Sequence, residues 1–156
     1  RYVQQFLRNV AWGDVDFLIL DLPPGTGDIQ LTIVQTAELD GVVVVTTPQE
    51  VALIDARKAI GLFERVETPI LGIIENMSYF QCPSDGKIYH IFGEGGGERE
   101  AAKLGVPLLG KIPLDISTRF GGDEGRPVAL EDPGQNPVSA AFRQVAEQCA
   151  RVVLDR

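Results

Sequence analysis

An aspartate closes a short apolar run and is followed by two prolines and a Gly-Thr-Gly turn in Phe17-Leu-Ile-Leu-Asp-Leu-Pro-Pro-Gly-Thr-Gly-Asp28. A carboxylate at the end of a buried strand is costly unless something pairs with it. At the carboxyl edge of an α/β sheet the fitting partner is a metal-bound phosphate, with Asp21 holding Mg²⁺ directly or through a water. Pro23-Pro24 stiffens the turn, and Gly25 lets the backbone approach a ligand closely. A backbone N–H at Gly25 could sense a terminal phosphate, and Thr26 or Asp28 could position a water. The plainer alternative is that Asp21 caps a turn or the helix that Asp28 begins.

These residues need a frame. Tyr2, Val3, Phe6, Leu7 and Val10 recur at helical spacing, so the chain opens on an amphipathic helix. Phe17 to Leu20 reads as a strand buried on both faces. Asp28 is expected to cap a helix running to about Leu39. Gly41 to Thr46 is a second buried strand, with Thr47-Pro48 as the turn after it. A helix from about Glu50 to Val66 places Leu53, Ala56, Ile60 and Phe63 on one face. Pro69 to Ile74 and Pro107 to Ile112 are two further strands. Between them lie a Gly-rich insertion, Asn76 to Gly97, and a short helix, Glu98 to Leu104. Gly121 to Asn136 is expected to be loop. The last helix, from about Pro137, carries Val138, Phe142, Val145, Cys149 and Val152 on a stripe. Buried strands alternating with helices predict an α/β fold, a parallel sheet flanked by helices. Ligands on such sheets bind at the carboxyl ends of the strands, so the loops after Leu20, Thr46, Ile74 and Ile112 matter most.

Composition narrows the partners. The chain has 156 residues, room for one domain with a real core, and is 44% hydrophobic and 23% charged, ordinary for a soluble globular protein. A net charge of −8 disfavours nucleic acid or an anionic membrane as a partner. No apolar stretch approaches the roughly 20 residues that span a bilayer, and no signal peptide opens the chain. The two cysteines, Cys82 and Cys149, lie far apart and suit a reducing cytoplasm. The first residue is not Met and already sits in a helical pattern, so the chain is expected to be part of a longer protein.

The run Asp21-Leu-Pro-Pro-Gly-Thr-Gly-Asp28 resembles the Walker B and switch II signature of the Mrp/ApbC/Nbp-type ATPases, MinD-like P-loop proteins implicated in carrying iron–sulfur clusters. The resemblance continues through Thr46-Thr-Pro-Gln-Glu-Val-Ala-Leu53, Gly72-Ile-Ile-Glu-Asn-Met-Ser-Tyr-Phe80, His90-Ile-Phe-Gly93 and Ile112-Pro-Leu-Asp115. It implies ATP and Mg²⁺ as cofactors, with Asn76 hydrogen-bonding the adenine and the backbone near Pro113 lining the base pocket. It also implies a homodimer that delivers iron–sulfur clusters to apo-protein clients. The family's cluster loop often reads Cys-Pro-x-Cys. Here Cys82-Pro-Ser-Asp85 replaces the second thiolate with a carboxylate, a harder and weaker set for a cluster. Cys82 is still the candidate ligand. Cys149 reads as a core thiol and His90 as an ordinary strand histidine.

Family members open with a glycine-rich Walker A loop carrying two lysines, then switch I, and neither occurs in these 156 residues. The chain is therefore expected to be the C-terminal part of one P-loop domain, weak in nucleotide binding and nearly inactive in ATP hydrolysis alone. Gly105-Val-Pro-Leu-Leu-Gly-Lys-Ile112 nearly fits a phosphate loop, but Ile112 stands where a hydroxyl should bind Mg²⁺, and the segment reads as a strand. Gly93-Glu-Gly-Gly-Gly-Glu98 could pass for an anion-binding turn. Glu94 and Glu98 would repel phosphate, so it reads as a flexible connector. An iron–sulfur carrier competes with a partitioning ATPase and with a non-enzymatic scaffold.

Overall fold

The computed structural model describes residues 2–23 and 27–155. Pro24, Gly25 and Thr26 lie outside the described residues, so the expectations for Gly25 and Thr26 are not addressed by it. Three parallel strands form the sheet in the order β1 (Val42–Thr46), β2 (Ile70–Glu75), β5 (Leu108–Lys111). Helix α3 (Glu50–Arg65) connects β1 to β2, and α4 (Gly96–Leu104) precedes β5. A small antiparallel hairpin, β3 (Phe80–Gln81) with β4 (Ile88–Tyr89), fills part of the expected insertion. Helix α6 (Pro137–Leu154) ends the chain, capped by Asn136, whose side chain accepts from the N–H groups of Val138 and Ser139.

Strand register explains the two-faced packing. Val44 pairs with Ile73 and Ile73 with Leu108, so these three share a face. On it, Val44, Ala56, Ile60, Ile73 and Ala101 form the core, flanked by Val42, Ile70, Leu104, Val106 and Leu108. This is the α3 and α4 side, and the apolar stripe read from Leu53, Ala56, Ile60 and Phe63 is buried there. A register shift after Ile73 pairs Ile74 with Gly110, which turns Gly110 to the opposite face. Gly110 lies under α6 so closely that a Cβ there would come within 2.5 Å of Val145 Cγ2. The sheet therefore carries helices on both faces, as the alternation of strands and helices predicts.

The first expected strand does not form. Phe17 to Leu20 is extended chain outside both sheets, with Phe17 and Leu18 nearly half exposed and Ile19 87% exposed. An apolar run becomes a strand only if a neighbour satisfies its backbone, and among the described residues β1 is the last strand on its side of the sheet. Instead α1 (Tyr2–Asn9) packs on α2 (Asp28–Thr36). Phe6, Leu7, Ile19, Leu20, Asp21, Leu22 and Ile33 line a shallow hollow there.

Helix ends correct several other expectations. Asp28 does not cap its helix. Gly27 occupies the cap position without a side-chain bond, and Asp28 is the first-turn acid, favourably placed toward the helix dipole. Helix α2 stops at Thr36 because Ala37 leaves the helix, its N–H still bonded to Ile33 O. Helix α4 begins at Gly96, so the expected flexible connector is an ordered start: Gly95 is left-handed and Gly96 and Gly97 are buried. Part of the expected 121–136 loop is ordered too. Asp115 caps α5 (Ile116–Asp123) by accepting from the N–H groups of Ser117 and Thr118, and a short 3₁₀ turn, Val128–Leu130, follows.

One ion pair locks α3 to α4. Arg57 Nε and Nη2 donate to the two carboxylate oxygens of Glu100 at 2.9 and 2.7 Å, and Lys103 adds a third bond at 2.8 Å. The Glu100 side chain is 6% exposed. Arg57, then the adjacent Lys103, pull its pKa down to about 2 from 4.5, against the opposing effect of burial. A depressed carboxylate stabilises the fold above its unfolded pKa and loses that contribution as pH falls through the folded value. Glu100→Gln is expected to cost about 1–2 kcal/mol at neutral pH, kept low by the exposed side of Arg57. Urea unfolding should show the wild-type advantage shrinking from about pH 4.5 downward and vanishing near pH 2.

Candidate functional site

Three of the four expected loops meet at the carboxyl edge of the sheet, tied by backbone hydrogen bonds. Asn76 N–H donates to Thr46 O at 2.7 Å, joining the loop after β2 to the end of β1. Ser78 N–H donates to Ile112 O at 2.9 Å, and Ile112 N–H to Glu75 O at 2.9 Å. Leu114 N–H donates to Tyr79 O at 2.7 Å. The segments 75–79 and 112–114 are thereby laced together, bringing the half-buried Asn76 and Pro113 to the same edge. Among the described residues, the loop after Leu20 makes no bond to these segments.

The side chain of Asn76 is oriented. Its Oδ1 accepts from Met77 N–H at 2.9 Å, and Met77 has a positive φ of 52°. A non-glycine residue in that region is held by its surroundings. With Oδ1 occupied, the amide Nδ2 is the atom left to donate to a ligand, which suits a ring nitrogen acceptor on a base.

Asp21 is exposed and, among the described residues, has no hydrogen-bond or ion-pair partner. Its neighbour Pro23 accepts from the buried Gln30 side chain at 2.6 Å, which fixes the chain just before the undescribed turn. Asp28 is exposed as well. Asp21 alone offers Mg²⁺ a single carboxylate, and no cluster of three or more His, Cys, Asp or Glu able to hold a metal occurs among the described residues. The base side of a nucleotide pocket fits the residues present, whereas the phosphate side has only isolated acids.

Cys82 sits at the tip of the β3–β4 hairpin, half-buried. Gly86 N–H donates to Cys82 O at 2.8 Å, and Cys82 N–H to Lys87 O at 2.9 Å, closing a tight turn. The Sγ lies 3.0 Å from Ser84 Oγ. Hydrogen bonding from Ser84 lowers the thiol pKa below its ordinary value, the Asp85 side chain partly opposing it. Asp85 is engaged by Lys87 N–H at 3.0 Å and carries a pKa lowered first by that bond. His90 lies just past β4 rather than in it, with Nδ1 3.4 Å from Ser78 O and Nε2 3.6 Å from Glu94. Cys149 is half-buried on α6 rather than a full core residue, and burial raises its pKa.

Sequence reasoning passed over Glu75 because it was read as part of a motif, not as a site. It is fully buried at the end of β2. An acid inside an apolar strand was the available signal, the same one that singled out Asp21. The near-match to a phosphate loop is settled by geometry: Leu108–Lys111 is strand β5, and Lys111 pairs with Glu98 at 3.0 Å.

Residues 1–150 match the family model described as ParA: NUBPL iron-transfer P-loop NTPase. The chain belongs to this family. It is 50% identical over 146 residues to the iron-sulfur cluster carrier protein of Pyrococcus furiosus, covering 94% of this chain and 49% of that protein. The iron-sulfur cluster carrier protein of Deinococcus radiodurans is 51% identical over 150 residues, covering 95% of this chain and 41% of that protein. The chain thus spans about half or less of these relatives. Among solved structures, a nucleotide-binding protein of Archaeoglobus fulgidus in complex with ADP superposes with a TM-score of 0.72 at 44% identity, covering 80% of this chain and 51% of that one. The Pyrococcus furiosus cell division ATPase MinD superposes at 0.71 with 24% identity, a likeness of fold alone. The P-loop NTPase fold and the resemblance read from the motifs are thereby established for this chain. No helix among the described residues is long and apolar enough to cross a membrane.

Proposed function

We propose that the chain is the C-terminal, Walker B and switch II portion of the ATPase domain of an iron–sulfur cluster carrier. The observation that carries this reading is the lacing of the loops after β1, β2 and β5, which presents an oriented Asn76 at the ligand edge of the sheet. Relatives about half identical to it are named cluster carriers, and a 44% identical structure holds ADP.

In this reading Asn76 Nδ2 donates to the adenine, and the backbone at Pro113 lines the base pocket. Asp21 would hold Mg²⁺ when nucleotide binds, Gly25 and Thr26 would serve the terminal phosphate, and Asp28 would position the attacking water. The metal would neutralise charge developing on the phosphates. ATP hydrolysis also needs a glycine-rich phosphate loop with its lysine, a motif absent from these 156 residues, so the activity belongs to the longer protein. Cys82 serves as the cluster ligand, its hairpin facing that of a second copy so that two thiolates and two Asp85 carboxylates surround the cargo. Apo-proteins that receive clusters are the partners, in a reducing compartment such as the cytoplasm, consistent with two free thiols.

Anaerobic reconstitution with iron and sulfide tests the cargo assignment. Cys82→Ala is expected to lose nearly all bound iron and the visible absorbance of a cluster, while Cys149→Ala keeps both. Equal iron in the Cys82→Ala variant and the wild type would remove Cys82 from the proposal.

A further inference from the structure

Glu75 has a side chain 0% exposed and immediately precedes Asn76. A carboxylate so deep is tolerated only when both oxygens are bonded. Oε1 accepts from Ser78 Oγ at 2.5 Å, and Oε2 from Gly97 N–H at 2.6 Å. Gly97 belongs to the first turn of α4, where the helix dipole favours a negative charge. The approach is close enough to need small residues. A Cβ on Gly97 would lie 3.1 Å from Glu75 Cβ, and one on Gly96 would lie 2.6 Å from Pro48 O.

These bonds reach in two directions. Glu75 immediately precedes Asn76, and Ser78 ties the Asn76 loop to Ile112 through its N–H. Toward the other side, Gly97 ends the insertion that carries Cys82, and Ser78 O lies 3.4 Å from His90 Nδ1 at the foot of the β3–β4 hairpin. A leucine of similar size could fill the space but could not hold a hydroxyl and a helix N–H at once. We propose that Glu75 is a positioning residue that fixes the Asn76 loop against the base of the Cys82 hairpin, so that the two move as one unit. The claim rests in part on the nucleotide reading of Asn76, and the test separates the two.

The experiment uses the full-length protein with Glu75→Gln and Ser78→Ala, following alkylation of each thiol by iodoacetamide under native conditions. Cys149, on α6, reports global loosening. Glutamine can still accept from Gly97 N–H and donate to the Ser78 hydroxyl, so Glu75→Gln should fold. Without nucleotide, Ser78→Ala is expected to change the Cys82 rate at least about fivefold, the low end of ordinary coupling between sites, with Glu75→Gln intermediate and the Cys149 rate unchanged. Parallel change at both cysteines, or none at Cys82, would overturn the positioning role. In a second arm, ADP binding should weaken in the order wild type, Glu75→Gln, Ser78→Ala. If wild type binds no ADP, the nucleotide reading of Asn76 fails while the first arm still decides the positioning role. If ADP binds equally to all three while the Cys82 rates differ, Glu75 positions the hairpin alone and the coupling to Asn76 is overturned.

Discussion

Joined to a segment bearing a glycine-rich phosphate loop and its lysine, these 156 residues are expected to hydrolyse ATP at least about 10³ times faster than alone, since removing even one oxyanion donor costs about 10²–10³. The reason is visible in the edge of the sheet as well as in the chemistry. Among the described residues strand β1 has an unpaired outer edge, and Val45, on the face opposite α3, is 59% exposed. The apolar run Phe17 to Leu20 also lacks a strand neighbour. In the proposed reading, a strand added by the longer protein would pair with β1 at that edge. Phosphate release measures the rate, and hydrogen exchange measures the pairing. The amides of β1 that face the open edge should gain protection in the longer protein. Equal rates with and without the added segment would remove the proposal that the chain supplies half of an ATPase site.

Within that longer protein, Asp21→Ala should lower kcat for ATP hydrolysis at least about 100-fold, with a smaller effect on the KM for ATP. In the proposed site, losing the Mg²⁺ ligand would remove charge stabilisation that grows in the transition state, whereas Asn76 and Pro113 would still hold the base. Asp21 is exposed and unpartnered among the described residues, so the substitution should leave stability within about 0.5 kcal/mol. Steady-state kinetics at saturating Mg²⁺, beside a thermal melt, separate the two effects. An unchanged kcat would return Asp21 to the plain role of a turn residue.

Cys82→Ala carries a comparably large effect but on cargo rather than hydrolysis, and the two substitutions should act independently. Asp21 lies in the loop after the Phe17 to Leu20 run and Cys82 in the β3–β4 hairpin, on different elements. A double variant that lost no more iron than Cys82→Ala, and no more hydrolysis than Asp21→Ala, would bear out that separation.

Local chemistry was legible in the residues themselves. Strands Val42–Thr46, Ile70–Glu75 and Leu108–Lys111 announce themselves as short apolar runs typical of a parallel sheet, although Val45 of β1 is left exposed, and helix α3 announces its buried stripe by spacing. The signature around Asp21 and the Asn76 segment pointed to the family on sequence alone. Pairing was not legible. Phe17 to Leu20 has the composition of a strand, yet strand formation needs a neighbouring backbone, and that neighbour is a property of the assembled sheet. Nor could spacing show that Gly96 and Gly97 form an ordered helix start: they must be small because Pro48, 48 residues before Gly96, and Glu75, 22 residues before Gly97, crowd against them in space. The sequence determined which segments are apolar, which loops reach the ligand edge and which family the chain joins. Only the tertiary structure decided that the loops after β1, β2 and β5 are laced together, that Glu75 is buried between Ser78 and the distant Gly97, and that Asp21 makes no bond to those loops among the described residues. Those outcomes depend on contacts between distant segments, and no local pattern encodes them.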